Sequence, residues 1–362
     1  MKMKRSLLIL LSAFFLVQGC DKEFNVEQLI SSNSGGGNIS GDTVYIPVNP
    51  SWTGFNNPQD IIVGREPFIY IADTDNDRIV MMNLDGQILG TRNIKKPIAL
   101  AQDYKLNLFV SAQFDTVVSG QPLTLNAVFK LDLVKANHII SNATEKRILP
   151  ASDIDINNPQ REYPSIAVFY DNSYAIARKG PSNSVLIDPD NSLLYYIVKK
   201  LQDGTEKDTL IGRLAGLEPV GSGVPSANGF SSLVSFNNHT YDVIAGLTGN
   251  TNFKVEWLHY VNTRDFTGYQ NYISPSSVEL MSPNKFVQPQ GVGLDDAGNL
   301  FVVDAGKDSV YKFNPFGDQL IAFGGSDVFN NPSGVAFFNK TLYIADSGNN
   351  RILRFILSTD IR

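Results

Sequence analysis

The sequence predicts an all-β protein assembled from six copies of one small antiparallel sheet. Three observations carry this expectation. Segments of similar pattern recur along the chain, apolar residues alternate at period two within them, and no stretch beyond the first twenty residues carries a helical period.

Three segments show the repeat most clearly. They start at Pro58 (PQDIIVGREPFIYIADTDNDRIVMMNLDGQILG), Pro289 (PQGVGLDDAGNLFVVDAGKDSVYKFNPFGDQLIAFG) and Pro332 (PSGVAFFNKTLYIADSGNNRILRF). In each, Pro leads an apolar strand, a turn follows, and a second strand ends in Asp73, Asp304 or Asp346. A short Asn/Asp/Gly turn then opens a third strand. Alternation such as Ile69 and Ile71 against Tyr70 and Ala72 suits a strand buried between stacked sheets. This pattern resembles the NHL repeat, and the resemblance implies a β-propeller. Three fainter units start at Pro97, Pro164 and Ser231, where Ser111, Ala177 and Gly246 stand nearest the place of the missing Asp. Pro58 to Pro332 gives five intervals averaging about 55 residues. Four-stranded blades need roughly 40 to 50 residues, so six blades with insertions are expected, and seven is the alternative.

The last unit runs out of chain after its third strand, Ile352 to Leu357. The β-rich segment Thr43-Val44-Tyr45-Ile46-Pro47-Val48 is therefore expected to supply the outer strand of the last blade and close the ring. The propeller domain is expected to span residues 43–362.

Lys2, Lys4 and Arg5 precede an apolar run from Ser6 to Val17, which ends in Val17-Gln18-Gly19-Cys20. A run of 12 residues is too short to span a bilayer and reads as an export signal over residues 1–19. Cys20 is the only cysteine, so no intrachain disulfide can form. Val17, Gly19 and Cys20 resemble a bacterial lipobox, and the resemblance implies that Cys20 is lipidated, palmitate included, as the mature N-terminus. Gln18 departs from the usual pattern. Residues 20–42 are rich in Ser, Gly and Asn and read as a flexible tether. Asp21 and Glu23 resemble the surface-export signals of Bacteroidetes lipoproteins, which implies the outer face of the outer membrane.

Loss of the leader takes the formal charge from −6 to −9. That balance excludes a phosphate-backbone partner, so no nucleic-acid ligand is expected. Extra residues lie at Gln113–Asn126 and Lys179–Asn191, between second and third strands, and in the links Leu149–Tyr163 and Arg213–Phe230. All four fall on one face of the disc, which is expected to be the binding platform of a monomeric propeller. Phe114, Tyr163 and Phe230 are its candidate ligand-facing rings, with Trp52 a further ring near a predicted loop.

Catalytic signatures are weak. Asp73-Thr74-Asp75-Asn76-Asp77 lacks the Gly and Glu of a calcium loop, Arg78 and Leu84 standing in their places, and reads as a capped turn with Arg78 or Arg351 paired to the preceding Asp. A zinc site like that of peptide-amidating lyases needs histidines converging on the central channel, whereas His138, His239 and His259 fall on or near outer strands or a hairpin turn. The inner strands, such as Ile61-Ile62-Val63 and Val335-Ala336-Phe337, are too apolar for a gluconolactonase-like ion, and the Asp boxes of sialidases are missing. No metal, cofactor or catalytic residue is expected. The favoured reading is a surface lipoprotein that binds a protein or an extracellular polymer, with a lyase or hydrolase for glycans or peptides as the alternative.

Overall fold

A computed structural model describes residues 43–360 apart from Leu186, Asn237 and residues 273–278. The expected leader, Cys20 and the tether lie outside the described residues. The chain forms six four-stranded antiparallel sheets. Their innermost strands, Pro58–Val63, Lys95–Gln102, Glu162–Val168, Phe230–Ser235, Pro289–Leu294 and Pro332–Phe338, pack side by side in order, and the sixth returns to the first. This is a six-bladed β-propeller. Among the described residues the only α-helix is one turn, Asp153–Ile156, in the link between blades two and three.

The alternating strands are buried on both faces because each blade is sandwiched between two others. In blade one, Ile69 and Ile71 pack towards Ala336 and Tyr343 of blade six. Tyr70 and Ala72 pack towards Leu100 and Val110 of blade two. Burial of each such side chain contributes roughly 1.5 to 3 kcal/mol, which is how a chain without disulfides holds the ring.

Closure follows the expected route. Tyr45–Pro47 pairs antiparallel with Arg351–Leu357, placing Tyr45 opposite Leu357 and Pro47 opposite Phe355. Trp52 continues the zipper by exchanging backbone hydrogen bonds with Ile352.

The Asp that ends the second strand is a clamp on the preceding link. Asp73, fully buried, accepts from Asn56 N (2.7 Å), Asn76 Nδ2 (2.9 Å) and Arg78 Nε (2.6 Å). Asp346 repeats the set with Asn330 N, Asn349 Nδ2 and Arg351 Nε. The expected Asp–Arg pairing is present in both. In the three fainter blades the register corrects the sequence alignment by one residue. Ser111 opposite Ala99, Ala177 opposite Ser165 and Gly246 opposite Ser232 correspond to Ala72 opposite Asp60, so Ala112, Arg178 and Leu247 occupy the place of Asp73. The backbone pairing fixes this, and a faded motif does not.

The inner strands are also less uniformly apolar than their cores suggest. Asp60, Ala99, Ser165, Ser232, Gly291 and Gly334 hold equivalent positions around the ring. Asp60 Oδ2 accepts from Leu100 N of the next blade (2.7 Å), Ser165 Oγ from Leu233 N (2.9 Å) and Ser232 Oγ from Val292 N (3.1 Å). Where glycine stands instead, the strands close up: a Cβ on Gly291 would lie 2.3 Å from Ser333 O, and one on Gly334 2.8 Å from Asp60 Cα. Burial raises the Asp60 carboxyl to about 7 against the pull of the Leu100 and Ile61 amides.

Candidate binding face

The four elaborated segments lie on the face that carries the second-to-third-strand turns. One of them is not a loop. Residues expected as an insertion at 113–126 extend the strands Asn107–Val118 and Gln121–Asp132 into a long hairpin. Paired backbone stiffens it and lifts its tip clear of the disc.

A buried ion network fastens these segments to one another. Arg161, at the end of the link from blade two, donates to Asp190 (2.8 Å), Asp155 (2.9 Å) and Asp188 (2.8 Å). Its side chain is 4% exposed. Arg178 donates to Asp188 and to the carbonyls of Asp190 and Pro189. Burial works against the charge on Arg161, but Asp190, Asp188 and Asp155 outweigh it and raise its pKa. Burial likewise opposes ionisation of Asp188, and the two guanidinium groups overcome it and lower its pKa. Such a network is costly to desolvate and is strong only while complete.

Amide side chains continue the fastening. Asn126 Nδ2 donates to Arg161 O (3.0 Å), Asn191 Nδ2 to Pro219 O (2.8 Å) and Asn228 Nδ2 to Gly249 O (3.1 Å). Hairpin, helical link, blade-three loop and blade-four link thus form one braced roof over blades two to four.

Glu256 lies beneath it, fully buried, accepting from Ser226 N (2.8 Å) and Asn250 Nδ2 (3.3 Å). Burial exceeds the effect of these donors and raises its carboxyl from 4.5 to about 8. Between those values the folded protein holds a proton that the unfolded chain has released, so stability falls as pH rises from about 4.5 to about 8. Glu256→Gln is expected to remove that part of the pH dependence, up to about 4 kcal/mol over the window. Urea midpoints at pH 5 and pH 9 check this. An unchanged slope would show that Glu256 is ionised throughout.

The rings proposed from sequence do not form the platform. Tyr163 is 1% and Phe230 0% exposed. Both lie in inner strands, not loops, and their side chains point between blades. Phe114 is half-buried in the hairpin, edge-on to Phe129 at 6.2 Å with Arg147 over its ring at 4.6 Å. Trp52 is buried beneath Arg354. What the roof does present is aliphatic. Val117 (67% exposed), Ile154 (62%), Val185 (51%), Ile187 (90%) and Val220 (57%) stand on its hairpin, its helical link, its blade-three loop and its blade-four link. Spacing could not reveal them, because the argument requires knowing that distant segments share a roof.

Catalytic arrangements are sparse. Among the described residues no group of three or more His, Cys, Asp or Glu is placed to hold a metal ion. A shallow polar cleft of about 420 Å³ lies between the outer edges of blades one and two, lined by Thr91, Arg92, Asn93, Ser141 and Glu145. Arg92 and Glu145 already pair across it (3.0 Å). His259 Nδ1 bonds Asp242 (2.9 Å), whose carboxylate also accepts from Trp257 Nε1 and Tyr260 N. These contacts fix the orientation of the ring.

Geometry thus defines the class: a six-bladed β-propeller with one braced face. Its last blade carries an NHL repeat, the family model matching residues 329–355. No curated protein matches the sequence. Several solved structures share the fold. Aldose sugar dehydrogenase from Streptomyces coelicolor, in its PQQ-bound form, is 12% identical with a TM-score of 0.54, covering 88% of this chain and 99% of its own. A gluconolactonase from Xanthomonas campestris is 13% identical with a TM-score of 0.52, covering 88% and 99%. A Bacteroides thetaiotaomicron protein of unknown function is 14% identical with a TM-score of 0.51, covering 88% and 72%. Identities this low speak for the fold and not for an activity.

Proposed function

We propose that this protein is a non-catalytic binding module, lipid-anchored through Cys20 at the bacterial outer membrane, whose braced face engages a protein partner. The observation that carries the reading is the set of exposed aliphatic side chains, Val117, Ile154, Val185, Ile187 and Val220, raised on a rigid base. Exposed apolar side chains cost free energy in water, and several carried on one face suit a contact surface. Their base is already ordered, so association loses little conformational entropy. Aliphatic tips cannot hydrogen-bond a sugar, which favours a protein over a polymer here. The fixed imidazole of His259 is the feature that would favour the alternative, a surface lyase or hydrolase.

Replacing Ile187 and Val220 together with Ser is expected to leave the thermal midpoint nearly unchanged, since exposed substitutions cost about 0.5 kcal/mol or less. Crosslinked pull-down from intact cells is expected to lose the partner captured by the unsubstituted protein by about tenfold or more. Equal capture would end the reading. Cys20→Ser is expected to release the protein from the membrane fraction. Continued membrane association with cleavage at the same place would refute the anchor.

A further inference from the structure

The opposite face carries different chemistry. The first turns of blades three and four bring Tyr170, Asp171, His239 and Tyr241 together, although some 70 residues separate the two pairs. The Tyr170 ring lies 4.8 Å from His239 and 5.3 Å from Tyr241. Their polar groups are chained: Tyr170 Oη donates to Tyr241 Oη (3.3 Å), and Tyr241 Oη donates to Asp171 Oδ2 (2.9 Å). Ser173 N and Oγ hold the other Asp171 oxygen at 2.9 and 2.6 Å. Asp171 and His239 are exposed, and the two tyrosines are half-buried on a floor that includes Phe169. Burial and the hydrogen bonds with Tyr170 and Asp171 raise the Tyr241 hydroxyl well above its ordinary range, so it stays protonated.

We propose that Tyr170, Asp171, His239 and Tyr241 form a binding site for a neutral glycan. Three rings supply flat surfaces for the C–H faces of a pyranose. A fixed carboxylate and a phenolic hydroxyl beside them suit adjacent sugar hydroxyls, which donate and accept within one short span. Among the described residues these two turns expose no large aliphatic side chain, which separates the site from the aliphatic tips of the braced face and from a site for an apolar peptide. The site is independent of the protein-binding role inferred for that other face.

Native gel electrophoresis through gels containing amylopectin, galactomannan, xyloglucan or laminarin tests the site. At least one polysaccharide is expected to retard the protein. Asp171→Asn, and Tyr241→Phe, which keeps the ring and removes the hydroxyl, are each expected to weaken retardation about tenfold or more in apparent affinity, with thermal midpoints confirming a folded chain. Ile187→Ser is expected to change nothing here. Absence of retardation in all four gels, equal retardation of both site variants, or loss on Ile187→Ser would overturn the proposal.

Discussion

Arg161→Ala is expected to destabilise the propeller by about 3 to 5 kcal/mol, the usual cost of removing one partner from a buried ion network. Arg161 joins Asp155, Asp188 and Asp190. Asp190 has only 2% of its side chain exposed, so removing the guanidinium leaves a carboxylate that water cannot readily reach. Arg178 cannot replace it, because its side-chain bonds go to Asp188 and to two backbone carbonyls. Lysine would keep the charge but cannot span three acceptors from one fork, so Arg161→Lys is expected to fall between the two. Urea denaturation measures the effect, and a loss under 1 kcal/mol would show that the network is ornamental to the fold. Amide exchange should rise first in the loop holding Val185 and Ile187, since the network braces that loop from below.

A chain beginning at Pro58 is expected to be less stable than one beginning at Asp42 by at least about 5 kcal/mol, and to aggregate. Three large buried side chains go with the missing segment: Tyr45 (4% exposed), Trp52 (8%) and Phe55 (6%), each worth several kcal/mol when lost from a core. Tyr45 stacks on Phe323 at 5.1 Å and meets Phe301 edge-on at 6.2 Å, so its loss opens the seam between blades five and six. The strand Arg351–Leu357 would then present an unpaired edge, which invites pairing between copies. Equal melting temperatures for the two chains would show that the ring closes without the N-terminal strand.

Much of this architecture was legible in the chain. Period-two alternation identified the strands, the recurring Pro and Asp set the phase of the blades, and the shortfall after Leu357 pointed back to Tyr45. Even the pairing of Asp73 with Arg78 could be anticipated, because both belong to one turn. Three readings depended on more than local pattern. Strand register, which a faded motif does not carry, puts Ala112, Arg178 and Leu247 in the Asp position instead of Ser111, Ala177 and Gly246. Tyr163 and Phe230 begin strands whose neighbours in other blades cover them, so a place beside a link did not mean exposure. Asp60 and the serines that bond the next blade's inner strand are visible as residues, but not as a ring.

The chain alone therefore determined the repeat and the closing strand, because these follow from interactions within a blade or from the strand missing at the chain's end, whereas the six sheets of the structure decided between six blades and seven. Tertiary structure decided what each face offers. The aliphatic tips, the Arg161 network and the Tyr170–Asp171–His239–Tyr241 row all join residues from different blades or links. Only closure of the ring sets those distances, and only solvent exclusion by neighbouring blades decides which apolar side chains remain outside.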